Sequence, residues 1–426
     1  MTKEPRFYGW TLLVVMWLIV FANSFPYVGA SVSNVYMAED LHFNRSALGL
    51  VFAVFSWMTG MLGPVVAVCV DKRGVRFTLV LGSLISASGA VLMATFVHTE
   101  WQAVAVFGVM MGLGFSVAGP LAAQVGTVRW FIKGRARAIS LLMTSSSIGG
   151  MVGPILLNRL CANGPAGWRT GWWLVCGLSV CAALMTLFWV KEWPSDLGQT
   201  PDGGLASSES ISPGRQRKKQ VYKTPKEWSY SEVLRSPTFW LLLIPGTGFS
   251  AALPLLGAHE IAHLRDLGHS PAEAALSASI LAFAMLLGML GVAAFGDRFE
   301  PRWIWASGML VLSLGVLFAF NASGPMGIYR YAMVVGLGFG CAVTGGMTLM
   351  ANYFGNKPFA SIMGLLAVLS TTAGAIVAYG AGLVYDHFGS YAGAYYAVAL
   401  LCFAGFAALV LARPPVPKAT APLAIV

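Results

Sequence analysis

Residues 112–115 read Gly-Leu-Gly-Phe, and residues 336–339 read Gly-Leu-Gly-Phe again, 224 positions later. Both tetrapeptides lie inside long apolar runs, and working outward from them finds further pairs in nearly the same register. Trp130-Phe131 matches Tyr353-Phe354 one residue short of that spacing. Asp71 matches Asp297, and Asp40-Leu41 matches Asp266-Leu267, both at a spacing of 226. Chance supplies one such coincidence; several in order along both halves indicate a duplicated unit.

The unit is dissolved in lipid. Apolar residues make up 57% of the 426, charged residues 10%, and the mean hydropathy is +0.71, whereas a soluble domain carries about 25% charge. Apolar runs long enough to cross a bilayer predict spans near 8–30, 47–70, 77–97, 101–127, 138–160 and 169–190. A second set follows near 238–262, 272–295, 303–322, 328–351, 360–383 and 391–412. The reading is an all-α membrane protein of twelve transmembrane helices in two pseudo-symmetric six-helix bundles, 1–190 and 238–426, the second ending in a short tail. Between them, 191–237 is rich in Pro, Ser and Gly and then basic ("GRQRKKQVYKTPKEW", 214–228), too polar to enter lipid and too charged to form a core. It is a linker.

Parallel six-span repeats place a site at the interface between the halves, near the midplane, and let the halves rock around it. With both termini and the linker on one side, all of the 27 Lys and Arg residues except Arg45, Arg159, Arg169, Arg265 and Arg330 fall on that side. The positive-inside rule makes it the cytoplasm, so the expected location is the cytoplasmic (inner) membrane. The net charge of +10 is then a product of topology. A nucleic-acid partner would need a basic, aromatic surface on a soluble fold and is not expected, whereas membrane lipid is, since the linker's basic cluster can meet anionic headgroups. The six cysteines are scattered through apolar stretches, which indicates neither disulfides nor a metal site. The polar lead Met1 to Pro5 runs into an apolar segment without a cleavage signature, so the first span is expected to be retained.

After the second span the chain reads Asp71-Lys72-Arg73-Gly74-Val75-Arg76, and in the second half Gly296-Asp297-Arg298. An acid at a helix end beside bases can act as a breakable latch between helices; the plain alternative is a helix terminus with positive-inside charge. Here the chain resembles the major facilitator superfamily, whose loop signature has the form G-x-x-x-D-R/K-x-G-R-K/R. Ala67 and Ala293 stand at the leading glycine, and Val75 replaces a base. Similar to that family too are "RWFIKGRARAIS" (129–140), Gly149-Gly150-Met151-Val152-Gly153-Pro154 and Gly389-Ser390-Tyr391. Arg6-Phe7-Tyr8-Gly9-Trp10, "WPSDLGQTPDG" (193–203) and "PTFWLLL" (237–243) resemble bacterial members of the monocarboxylate transporter and oxalate/formate antiporter group.

The resemblance implies the major facilitator fold, a cytoplasmic gate at Asp71, Arg73, Arg76, Asp297 and Arg298, and a central cavity lined by helices 1, 4, 7 and 10, with 5, 8 and 11 contributing. Polar groups in a bilayer must be partnered or face water. On helix 1 the candidates for substrate contact are Asn23, Tyr27 and Ser31, with Tyr27 beside Pro26 and Gly29 where the helix can kink. On helices 4 and 5 they are Ser116, Gln124 and Ser145. Helices 7 and 8 offer Thr247, Ser250 and Ser277, and helices 10 and 11 offer Tyr331 and Thr371. Each Ser or Thr has the competing role of bonding its own helix backbone.

His259, Glu260 and His263 lie about 30 Å along helix 7 from Phe239 at about 1.5 Å per residue, which places them near the outer interface. There His259 and Glu260 can couple to protons or gate, or simply sit at the headgroups. Arg330 opens helix 10 on the same side, drawing an anion inward or snorkelling. Ser270-Pro271-Ala272-Glu273 reads as a capping box with proline at the first helical position.

Two cargo readings stay open for a secondary transporter working by alternating access. One is a small organic anion, a monocarboxylate, coupled to protons or exchanged for a counter-anion. The other is a neutral or amphipathic molecule, because helices 8 and 11 carry no Lys, Arg or His to meet an anion. A receptor that keeps the carrier fold without transport is a third. No nucleophile elbow, phosphate loop or His-Glu metal motif points to an enzyme; no cofactor or metal is expected, and no oligomer is required.

Overall fold

The computed structural model describes residues 7–131, 135–164, 166–201, 222, 224, 228–295, 299–320, 322–355 and 359–415. Among them, eleven helices are long and apolar enough to cross a membrane, and a bent pair raises the number to as many as twelve. In chain order they are α1 (Gly9–Leu41), α2 (Arg45–Met61 and Gly63–Arg73), α3 (Val75–Thr95), α4 (Glu100–Trp130), α5 (Arg135–Cys161) and α6 (Gly167–Trp189). After the linker come α7 (Pro237–Asp266), α8 (Pro271–Phe295), α9 (Pro301–Phe320), α10 (Gly324–Phe354), α11 (Phe359–Phe388) and α12 (Ala392–Leu411).

Local chemistry explains the interruptions. α2 bends by 46° where Pro64 opens its second segment, since proline lacks the N–H of a continuous helix. α3 starts after Gly74, whose φ of 90° favours glycine. α4 begins at a capping box, Thr99 with Gln102, passes through π-helical turns at Val104–Met111, and restarts at Pro120 after Gly119. The box read at the start of α8 is present: Ser270 N–H donates to Glu273 Oε2 at 2.9 Å and Glu273 N–H to Ser270 Oγ at 3.3 Å.

Within the first six helices α3 packs on α6 and α1 on α5 and α6; within the last six, α10 packs on α8 and α9, and α7 on α11 and α12. Contacts between the two sets run mainly through α2 with α11 and α5 with α8. The repeated tetrapeptide shows how the duplication is used. A methyl on Gly112 would press Met58 Cβ of α2 at 3.0 Å, and one on Gly336 would overlap Leu281 O of α8. A methyl on Gly114 would come within 2.5 Å of Ser86 Oγ on α3, and one on Gly338 within 2.6 Å of Leu312 N on α9. The two glycines let three helices approach closely in lipid, where packing drives association. The phenylalanine after each pair, Phe115 and Phe339, faces the same central cavity.

Both termini of the helical body and the described parts of the connection, 191–201 and 228–236, lie at one end, called here the linker end. The turns α1–α2, α7–α8 and α11–α12 form the distal end. Large apolar side chains such as Trp10, Leu84, Phe188, Leu400 and Phe403 stay exposed along the helices, an apolar exterior that lipid covers.

Candidate substrate cavity and gates

A cavity of about 340 Å³ lies between the halves. Tyr27 and Ser31 of α1, Phe115 of α4, Ser146 and Gly150 of α5, Leu253 and Gly257 of α7, Met285 and Met289 of α8, and Phe339 and Val343 of α10 form much of its wall. The wall is predominantly apolar. Among its described residues Glu260 of α7 is the sole charged group.

Glu260 is 6% exposed and accepts a hydrogen bond from Ser277 Oγ at 3.2 Å. Behind it Tyr331 and Tyr395 are fully buried and close enough to feel its charge. Burying an ionised acid without a basic partner is costly, and no Lys or Arg of the described wall offsets that cost.

The other expected contact residues divide. Tyr27 reaches the cavity and donates through its hydroxyl to Leu253 O of α7 at 3.1 Å, spanning the halves. It fits because position 257 is glycine; a methyl there would overlap the Tyr27 hydroxyl. Ser31 lines the wall with its hydroxyl on Val28 O at 2.8 Å, and Ser277 and Tyr331 belong to the surroundings of Glu260. The rest lie away from the central wall. Asn23 Nδ2 donates to Ser83 Oγ at 3.1 Å inside the first six helices. Ser116 reaches Thr59 O at 3.4 Å and Gln124 meets the Met143 sulfur. Ser145, Thr247 and Thr371 bond backbone carbonyls of their own helices at 2.6, 2.9 and 2.7 Å, as short hydroxyls in helices readily do. Ser250 lines a separate cavity of about 170 Å³ among α7, α9, α10 and α11.

His259, Glu260 and His263 are buried under neighbouring helices rather than exposed at the end of their own. α7 continues to Asp266, and α10, α11 and α12 cover this turn, so all three are buried. Arg330 is exposed, its guanidinium carbon 4.8 Å from the Phe318 ring centroid, and it takes no part in the charge contacts that close the distal end.

That end is closed by charged residues, of which the sequence reading had used Arg45 and Arg265 only for orientation and Asp266 only for the repeat. Arg45 of α2 pairs with Asp266 of α7 at 3.0 Å, and Arg265 with Glu39 of α1 at 2.7 Å. Asp386 of α11 accepts from the N–H groups of Arg45 and Ser46 at 3.2 and 2.9 Å, capping the start of α2 across the seam, where unpaired N–H groups favour an anion. Backbone meets backbone here: a methyl on Gly382 would come within 2.5 Å of Arg45 O, and one on Gly49 would overlap Ala378 O.

At the linker end the gathering acid is Glu192. It accepts from the N–H groups of Val75 and Arg76 at 3.0 and 2.7 Å and pairs with Arg129 at 2.6 Å. Asp71 and Arg73 are exposed, while Arg76 turns its guanidinium to Leu187 O. Asp297 and Arg298 lie outside the described residues.

The family model described as Major Facilitator Superfamily matches residues 16–265 and 246–424. Human monocarboxylate transporter 14 is 31% identical over 218 residues, 48% of this chain and 41% of that protein; the chain thus spans under half the length of the first relatives it matches. The MFS-type transporter YcxA of Bacillus subtilis (strain 168) is 25% identical over 91% of this chain and 90% of its own. Monocarboxylate transporter 1 of Bos taurus is 23% identical over 92% and 82%. Among solved structures, a POT family transporter in complex with a thioalcohol-conjugated peptide superposes with a TM-score of 0.73 at 13% identity, covering 94% of this chain and 95% of that one. The nucleoside transporter NupG superposes with a TM-score of 0.69 at 14% identity, covering 94% and 99%.

Proposed function

The chain belongs to the Major Facilitator Superfamily, and from that premise we propose that it is a proton-coupled secondary transporter of an amphipathic small molecule, with Glu260 as the polar anchor of the cavity. The observation that carries this reading is that, among the described residues, Glu260 is the sole charged group in a predominantly apolar wall. A mostly apolar body satisfies the wall, and a hydrogen-bond donor or protonated amine satisfies Glu260; a proton on Glu260 does the same when the cavity is empty, which ties cargo to proton movement. The halves 1–190 and 238–426 rock about the cavity, with 191–237 as their connection. The Lys and Arg distribution supports a cytoplasmic linker end and an external distal end.

The second reading is a small monocarboxylate, favoured by the names of relatives such as monocarboxylate transporter 14. The absence of a cation from the described wall counts against it. Proteoliposomes with an imposed pH gradient separate the two. The proposal expects gradient-driven movement of lipophilic amines or neutral aromatic compounds, little of lactate or pyruvate, and a Glu260→Gln variant that still exchanges cargo but no longer accumulates it. Accumulation of lactate or pyruvate alone, undiminished in Glu260→Gln, would overturn it.

A further inference from the structure

One residue before Glu260 and on a different face of α7, His259 is fully buried beneath the closed distal end. Its Nε2 lies 3.0 Å from Ala378 O of α11 and its Nδ1 3.2 Å from the Tyr391 hydroxyl at the start of α12. A carbonyl oxygen only accepts, so Nε2 carries the hydrogen. Nδ1 then presents its lone pair, and Tyr391 donates to it. The neutral imidazole is completely satisfied in this one tautomer.

α2 of the other half lies directly over the pair. A methyl on Gly49 would overlap Ala378 O and come within 3.1 Å of His259 Nε2, so the ring is sealed only while α2 rests on α11. The groups that face His259 are Gly49 and the Arg45 guanidinium from α2, Ala378 O and Asp386 from α11, Tyr391 from α12 and His263 from its own helix. His263 is itself bound to Ala319 O at 3.2 Å. Both nearby acids are occupied by α2: Asp386 with the N–H groups of Arg45 and Ser46, Asp266 with the Arg45 guanidinium. An imidazolium at 259 would have two N–H donors, would reverse the Tyr391 bond, and would sit buried beside Arg45; Asp386 offsets part of that charge but is held by the N–H groups of α2, so the arrangement is costly.

We infer that His259 is the positioning residue that makes closure of the distal end proton-dependent: neutral, it joins α7 to α11 and α12 under α2, and protonated, it holds α2 away. When α2 swings off α11 the ring meets water from the distal face, takes a proton at Nδ1, and must return it to that water before the end can close. The inference concerns the gate rather than the cavity and needs no knowledge of the cargo.

Hydrogen–deuterium exchange on the native chain in lipid nanodiscs tests it without substrate. The reporters are the Arg45 and Ser46 amides, which Asp386 holds across the closed seam; opening is expected to free them, so that their exchange follows the open population. Labelling times are scaled for the intrinsic effect of pH. Between about pH 7.5 and about pH 5.5, single-proton linkage raises the open-to-closed ratio by up to about tenfold per unit, and exchange in the native chain is expected to rise accordingly.

His259→Gln, which can donate to Ala378 O and accept from Tyr391 without titrating, is expected to keep the slow exchange and lose the response. His263→Gln is expected to respond like the native chain. Tyr391→Phe removes the donor to Nδ1, makes the ring easier to protonate, and is expected to move the midpoint to higher pH, a shift that a purely packing role does not produce. A flat native profile, or a His259→Gln profile that still follows the native one, overturns the inference. A failure of cargo transport in the assay above leaves this result standing.

Discussion

The two ends of the molecule hold their charges differently. At the distal end Arg45–Asp266, Arg265–Glu39 and the Asp386 cap on α2 all join one half to the other. At the linker end, among the described residues, the charge cluster around Glu192 gathers α3, α4 and the end of α6, all from the first half. Contacts inside a half hold that half together; contacts across the seam are the ones the proposed rocking would have to break. Each distal ion pair is partly exposed and worth at most about 1 kcal/mol, and a helix cap about 0.5–2 kcal/mol. Together they amount to a few kcal/mol, the scale on which a two-state gate can be biased by a ligand or a proton.

The contrast breaks most completely at Gly49. A leucine there cannot lie against Ala378 O and the His259 ring, and overpacking of about 1–3 kcal/mol would transfer the population to the distal-open state by roughly fivefold to a hundredfold. Spin labels on Asn44 and Phe388, at the exposed tips of α2 and α11, would read the change as a longer distance by electron–electron resonance. Asp386→Ala is expected to act in the same direction more weakly, since it removes a cap worth about 0.5–2 kcal/mol but leaves the backbone approach intact. Glu192→Ala should sharpen the comparison by behaving oppositely. Losing a carboxylate that holds two N–H groups and Arg129 lowers the Tm by a few degrees for about 1–2 kcal/mol, with no change in the label distance. A Glu192→Ala variant that opened the distal end would erase the distinction between the ends.

Much of this architecture could be read from residues, and the parts that could not have definite causes. Hydropathy located the spans, and the repeated Gly-Leu-Gly-Phe correctly marked equivalent positions, because helix packing in lipid writes itself into small residues at fixed spacing. Helix ends were clipped. α1 runs to Leu41 and α7 to Asp266 rather than to about 30 and 262, because their last turns carry polar side chains matched by partners distant in sequence, Asp40 by the Trp168 indole and Asp266 by Arg45. That clipping is why the His259–Glu260–His263 turn was expected at the interface. Which Ser or Thr faces the cavity was illegible for another reason: a hydroxyl that bonds its own helix, like Ser145 or Thr371, leaves no mark that separates it from one facing cargo. The distal pairs were legible only as charges, since Arg45 and Asp266 are 221 residues apart and nothing local joins them.

The smallest expected effect lies at Arg265–Glu39. The pair is short, 2.7 Å, but the Glu39 side chain is 57% exposed, so solvent and salt screen it. Arg265 also lies with its guanidinium carbon 5.6 Å from the Tyr36 ring centroid, a contact that survives removal of the acid. Glu39→Gln is therefore expected to shift the gate by less than about 1 kcal/mol, within a factor of five in the label populations, and by still less at high salt. Arg265→Gln should exceed it by the ring contact. A double-mutant cycle of the two isolates the ionic part. If that part proved as large as the effect of Asp386→Ala, the closed end would rest on ion pairs rather than on the cap and the glycine seam, and the order of these predictions would reverse.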